Sequence, residues 1–128
     1  MGEPVRIADT SFLYALFSST DSFHAKAIEA AKVAEQILVP AEIFSETIAL
    51  IHHRQGHEVA TKAGDWMFAQ GNVEIAGSPS PVSERGWDVF VSGRGRLSYP
   101  DSIVISWCEA RGAAPLAFDA AILRRARK

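Results

Sequence analysis

Four short apolar runs recur along the chain, Val5 to Ala8, Ile37 to Val39, Val73 to Ile75 and Pro115 to Phe118, each separated from the next by sequence of helical length and pattern. No other feature constrains the fold as strongly. Strands joined through helices run parallel, because a parallel connection needs a crossover, and the crossover helices then bury the sheet on its faces. The alternation therefore predicts an α/β fold, a three-layer α/β/α sandwich around a mostly parallel central sheet. At 128 residues the chain suits one domain over residues 1–128. In such sheets ligands bind beyond the carboxyl ends of the strands, near the point where strand order reverses.

Local signals set the boundaries between the strands. Asp9, Thr10 and Ser11 form a polar turn into the helix-compatible run Phe12 to Phe17, and Asp21-Ser22 supplies a cap for a helix to about Ala34. Pro40 stops the second strand and suits the first turn of a helix from Ala41 to Gln55, which Gly56 ends. Residues 58 to 70 form the next helix, and Gly77 to Pro81 is a loop leading into a helix from about Val82 to Val91. After a glycine-rich turn at Ser92 to Arg96, Ser98 opens a helix that Gly112 closes, and Asp119 starts a terminal helix.

At 48% hydrophobic and 22% charged, the composition supports a packed core and excludes intrinsic disorder. Cys108 stands alone, so neither an internal disulfide nor a cysteine-rich zinc site is available, and the thiol is expected to be buried and inert. No run approaches the ~18 apolar residues of a membrane span, and the N-terminus has no signal-like pattern. A soluble, unprocessed, cytoplasmic protein without membrane contact is expected. The net charge of −2 argues against unselective polyanion binding. Its distribution is uneven: residues 94 to 128 carry seven Lys/Arg and three acids, residues 1 to 93 six and twelve. That asymmetry permits a phosphate-bearing ligand to be held at one place.

Four acids carry the chemistry. Asp9 and Asp119 each follow an apolar strand, where a carboxylate serves either as a helix N-cap or as part of a site at the strand ends. On the helix from Ala41, the residues Ile43, Phe44, Thr47, Ile48, Leu50 and Ile51 form one apolar arc with Glu46 at its margin. Glu42 lies further round and reads as a solvated first-turn acid favoured by the helix dipole. Asp101 fits a capping box with Ser98, yet Val104, Ile105 and Cys108 make its stripe of the helix apolar. A buried carboxylate there needs a partner, and no Arg or Lys lies on the stripe. Gathered at one rim, Asp9, Glu46, Asp101 and Asp119 repel one another unless a cation or raised pKa values relieve them. Oxygen-only ligation favours Mg²⁺ or Mn²⁺ over zinc, and a cation so held suits in-line phosphodiester hydrolysis.

The same segments resemble PIN domains, in particular the VapC-type toxin ribonucleases, over almost the whole chain. Ile7-Ala-Asp9-Thr-Ser-Phe-Leu13 is similar to the opening strand and its Asp-Thr-Ser motif, and Asp21-x-x-His24-x-x-Ala27 to the segment after it. Val39 to Leu50 resembles the helix bearing the family glutamate, at Glu46; Leu97-Ser-Tyr-Pro-Asp101-Ser-Ile the third acidic motif; and Leu116-Ala-Phe-Asp119 the fourth. The resemblance implies a ribonuclease selective for single-stranded RNA, with Mg²⁺ or Mn²⁺ held by Asp9, Asp101 and Asp119, Glu46 as a further catalytic acid, and Ser11 as polar support beside Asp9. It also implies a homodimer and, for toxin members, a VapB-type antitoxin. Ser102 stands where many relatives have Ala or Cys, and Ala120-Ala121 replaces commoner polar residues; neither removes a metal oxygen.

Arg94 and Arg96, flanked by glycine just before the Asp101 helix, are candidates for RNA phosphate contact. Arg124, Arg125, Arg127 and Lys128 are read as solvated or as complementing the terminal helix dipole. His24, His52, His53 and His57 fit no metal-binding spacing and are read as solvent or helix-end residues. Trp66, Trp87 and Trp107 are assigned to core or dimer packing rather than to base stacking. The competing function is a catalytically silent module that binds RNA or protein in the same groove; retention of four mutually repelling acids favours the enzyme. A haloacid-dehalogenase-type phosphotransferase would want a second Asp where Ser11 stands, and a response-regulator receiver would want adjacent acids near the first strand and a late Lys.

Overall fold

The computed structural model describes residues 4–126, so Arg127 and Lys128 of the basic tail lie outside the described residues. Elements follow in the order β1 (Val5–Ala8), α1 (Thr10–Phe17), α2 (His24–Val33), β2 (Gln36–Pro40), α3 (Ala41–Gln55), α4 (His57–Ala69), β3 (Val73–Ala76), α5 (Ser80–Gly93), α6 (Tyr99–Arg111), β4 (Ala114–Leu116) and α7 (Ala120–Ala126). The four strands form one sheet in the order β3-β2-β1-β4, every pair parallel. Ile7 stands opposite Leu38 on one side and Pro115 on the other. The expected parallel sheet flanked by helices is therefore found.

Successive steps from β1 to β2 to β3 advance in one direction, and the step from β3 to β4 returns across the sheet to the far side of β1. With right-handed crossovers, α1 to α4 fall on one face and α5 and α6 on the other. The core follows from that covering. Ile7, Ala8, Ile37, Leu38, Val39 and Leu116 are almost wholly buried, between Phe12, Leu13, Ile43 and Met67 from the first set of helices and Val89, Ile103 and Val104 from the second. Strands buried on both faces read as continuous apolar runs, which is why period-2 alternation is absent from the sequence. The α5–α6 pair packs closely because Gly86 faces Ile103: a Cβ at Gly86 would stand 2.7 Å from Ile103 Cδ1.

Three elements differ from expectation: α5 starts at Ser80, inside the expected loop, and runs on to Gly93, and two others have shifted bounds. Asp21 does not cap α2; its Oδ1 accepts the Phe23 N–H at 2.8 Å in the preceding turn, and the helix starts at His24. The last strand is Ala114–Leu116 rather than Pro115 to Phe118, because the Phe118 N–H leaves the ladder to donate to Ser11 Oγ at 2.9 Å. Of the three tryptophans expected in core or dimer packing, one lies outside the core. Val82, Gly86, Val89 and Gly93 form the buried side of α5, so Trp87 is outside the core, 55% exposed, against Phe90 and Tyr99. Trp107 is buried and Trp66 packs edge-on against Phe17.

Candidate active site

The order of strands reverses between β1 and β4; the chain leaves β1 through Asp9 and, after Ala117 and Phe118, reaches Asp119 beyond the end of β4. The Asp9 N–H donates to Leu116 O at 3.2 Å, holding the two strand ends together. Each aspartate caps the helix that follows. Asp9 Oδ1 accepts the Phe12 N–H at 3.0 Å, and Asp119 Oδ1 accepts those of Ala121 at 2.9 Å and Ile122 at 3.1 Å. Capping and a place at the strand-end rim are thus not alternatives here, since one oxygen satisfies the helix while the carboxylate as a whole stays at the site.

Ser11 ties these groups together. Its hydroxyl lies 2.8 and 2.9 Å from the two Asp9 oxygens, to which it donates, and it accepts the Phe118 N–H. One side chain therefore orients Asp9 and fixes the loop leading to Asp119. Glu46, half-buried on α3, accepts a hydrogen bond from the Thr10 hydroxyl. Asp101 sits in the first turn of α6, where its N–H donates to the N-cap Ser98 Oγ at 3.2 Å. The capping half of that expectation holds, and the side chain is half-buried as well.

Asp9 and Asp101 each feel the charge of other acids at this rim. Burial, countered by hydrogen bonds from Phe12 and Ser11 and reinforced by the charges of Asp101 and Asp119, pushes the Asp9 carboxyl up to about 7. Asp101 is also raised, by burial first and then by Asp119 and Glu46. No Lys or Arg forms an ion pair with any of the four among the described residues. Such a rim, only oxygens and negative charge, suits a hard divalent cation. Among the described residues no three His, Cys, Asp or Glu side chains are gathered closely enough to ligate an ion together. The donors at the rim are carboxylate and hydroxyl oxygens, the type that Mg²⁺ and Mn²⁺ take, whereas zinc prefers nitrogen and sulfur.

The PIN domain family model matches residues 6–128. The chain belongs to the PIN family. Among solved structures, this PIN domain is similar to VapC20 of Mycobacterium tuberculosis, a toxin that cleaves the sarcin-ricin loop, with 22% identity, a TM-score of 0.82 and 92% of each chain covered. It is also similar to VapBC2 from Rickettsia felis, a structure bound to a DNA fragment from its promoter, with 12% identity, a TM-score of 0.69, and 94% of this chain and 92% of that one covered. No curated protein sequence matches it. The shared fold is that of VapC toxins, and no helix among the described residues is long and apolar enough to cross a membrane.

The remaining candidates divide. Arg94 and Arg96 of this PIN domain are exposed and form no ion pair among the described residues. Arg94 holds a left-handed conformation, φ 51° and ψ 45°, at the end of α5, a conformation that disfavours most side chains by about 1 kcal/mol. Glu42 is not a solvated acid as expected: its Oε1 accepts from Ser78 Oγ at 2.9 Å, and that hydroxyl accepts Trp107 Nε1–H at 2.9 Å. This chain links α3, the loop after β3 and α6, and no local signal announces it. His24 Nδ1 lies 2.7 Å from Ala15 O at the start of α2, a helix-end role. Burial pushes the Cys108 thiol up to about 12, which leaves it inert.

Proposed function

We propose that this PIN domain is a divalent-cation-dependent endoribonuclease that hydrolyses phosphodiester bonds of single-stranded RNA, the toxin of a VapBC-type pair. The observation that carries the reading is the rim itself: four carboxylates, following β1, on α3, on α6 and in the turn after β4, lie near the point where strand order reverses, and no cationic side chain among the described residues pairs with them. When bound, Mg²⁺ or Mn²⁺ supplies charge neutralisation to the phosphoryl oxygens of the scissile bond and makes the attacking water more acidic. Asp9, Asp101 and Asp119 would hold the cation, with waters completing its shell. Glu46, oriented by Thr10, would accept the proton of the attacking water, and Ser11 keeps Asp9 aimed while it secures Phe118. Arg94 and Arg96 would track the RNA backbone without touching the cation.

A homodimer and a VapB-type antitoxin belong to the same proposal, supported by the VapC fold. The decisive experiment incubates a mixed RNA pool with the wild type and with Asp119→Asn, in Mg²⁺, in Mn²⁺ and in chelator, with cut sites mapped. Cleavage by the wild type with cation alone is expected. Asn keeps the α7 cap, so loss of cleavage with an unchanged melting curve assigns the acid to chemistry. Equal activity of the two proteins refutes the assignment, and RNA binding without cleavage by the wild type favours the silent module.

A further inference from the structure

Beside the acidic rim two phenylalanine rings lie face to face. Phe23, in the turn before α2, stacks on Phe118 with centroids 4.7 Å apart and planes 6° from parallel. Phe118 cannot shift freely. Its N–H is bonded to Ser11 Oγ, the same hydroxyl that holds Asp9, the next residue is Asp119, and its ring rests on the fully buried Phe12 at 6.3 Å. Phe23 is fixed at its backbone by Asp21, yet 39% of the residue is exposed, and Lys26 Nζ lies 5.7 Å from its ring centroid. Lys26 forms no ion pair among the described residues.

A part-exposed ring held flat against a partly buried one, with a lysine cation over it on a flexible four-carbon stem, has the chemistry of a nucleotide platform. The π-face receives a base and the ammonium its phosphate. An apolar side chain of a protein partner would use the ring but leave the cation without purpose. Resting on the ribonuclease reading, we infer that Phe23, backed by Phe118 and flanked by Lys26, stacks an unpaired nucleobase next to the scissile phosphodiester and so helps to set where the RNA is cut. Stacking tolerates any base, so Phe23 favours unpaired over paired nucleotides rather than one base over another.

The test uses the full chain and a single-stranded oligoribonucleotide carrying 2-aminopurine, titrated in chelator so that it stays intact. Phe23→Ala and Phe23→Leu are expected to weaken binding about tenfold and to abolish quenching of the 2-aminopurine, while Phe23→Trp retains both. Lys26→Ala is expected to lower the log–log salt slope by roughly 0.7. Binding by Phe23→Ala equal to wild type overturns the inference. So does an equal loss in Phe23→Trp, which would mark a packing role, or a change in sedimentation with RNA binding intact, which would mark a contact between copies. If the wild type cleaves RNA while all Phe23 variants cleave at the same sites and rates, the inference alone fails. If the wild type neither binds nor cleaves RNA in Mg²⁺, the ribonuclease reading fails and takes the inference with it.

Discussion

Replacing Asp9 with Asn should make the cation-free protein more stable, and by an amount that depends on pH. Asp9 is 1% exposed, and burial is the main reason its carboxyl rises from the ordinary 3.8 to about 7. An acid whose folded pKa lies above its unfolded one binds its proton more tightly in the native state. Its stability contribution is therefore present at low pH and lost as pH climbs from about 4 through 7. At 1.36 kcal/mol per pKa unit, the rise corresponds to about 4 kcal/mol lost by pH 8. Asn mimics the protonated acid and still accepts the Phe12 N–H, so Asp9→Asn should match the wild type near pH 4 and exceed it by about 4 kcal/mol at pH 8. Urea unfolding in chelator, every half unit from pH 4 to 9, measures this difference directly. Adding Mg²⁺ to the wild type at pH 8 should recover part of the loss, about 2.7 kcal/mol at a hundred times its dissociation constant, and should do less for the variant. Parallel curves for the two proteins, or a variant less stable at every pH, would refute the reasoning and leave Asp9 as a cap alone.

Ser11→Ala should destabilise the fold by about 1–2 kcal/mol, because the Phe118 N–H loses its acceptor, and should move the wild-type pH transition upward, because a hydrogen bond to ionised Asp9 is gone; thermal melts across pH report both. Arg94→Ala with Arg96→Ala should weaken RNA binding and lower its salt slope by roughly 0.7 per lost contact, with cleavage largely restored at saturating RNA. An unchanged slope would turn the arginines away from RNA. Sedimentation at micromolar concentration should show a dimer, and a species of 13.9 kDa alone would contradict it.

Much of this protein is written in local sequence. Continuous apolar runs between helical segments required a parallel sheet covered on both faces, and Pro40, Gly56, Ser98 and Gly112 punctuate helices where they were expected to. Asp9 falls at the end of β1 and Asp119 shortly beyond β4 because the strands before them are short and apolar, and helical periodicity alone put Glu46 at the margin of a buried arc. These are properties of residues within a few positions of one another, which strand pleat and helical turn translate directly into space. Packing decided the rest. Thr10 reaches Glu46 across 36 residues and Ser11 reaches Phe118 across 107, distances over which periodicity carries no information. The link from Glu42 through Ser78 to Trp107, the parallel stack of Phe23 on Phe118, and the exposure of Trp87 likewise depend on which face each helix turns to the sheet. The depth of Asp9 belongs with them. A carboxylate's charge is set by how much water surrounds it, and only the closed sheet with α6 laid across β1 removes that water.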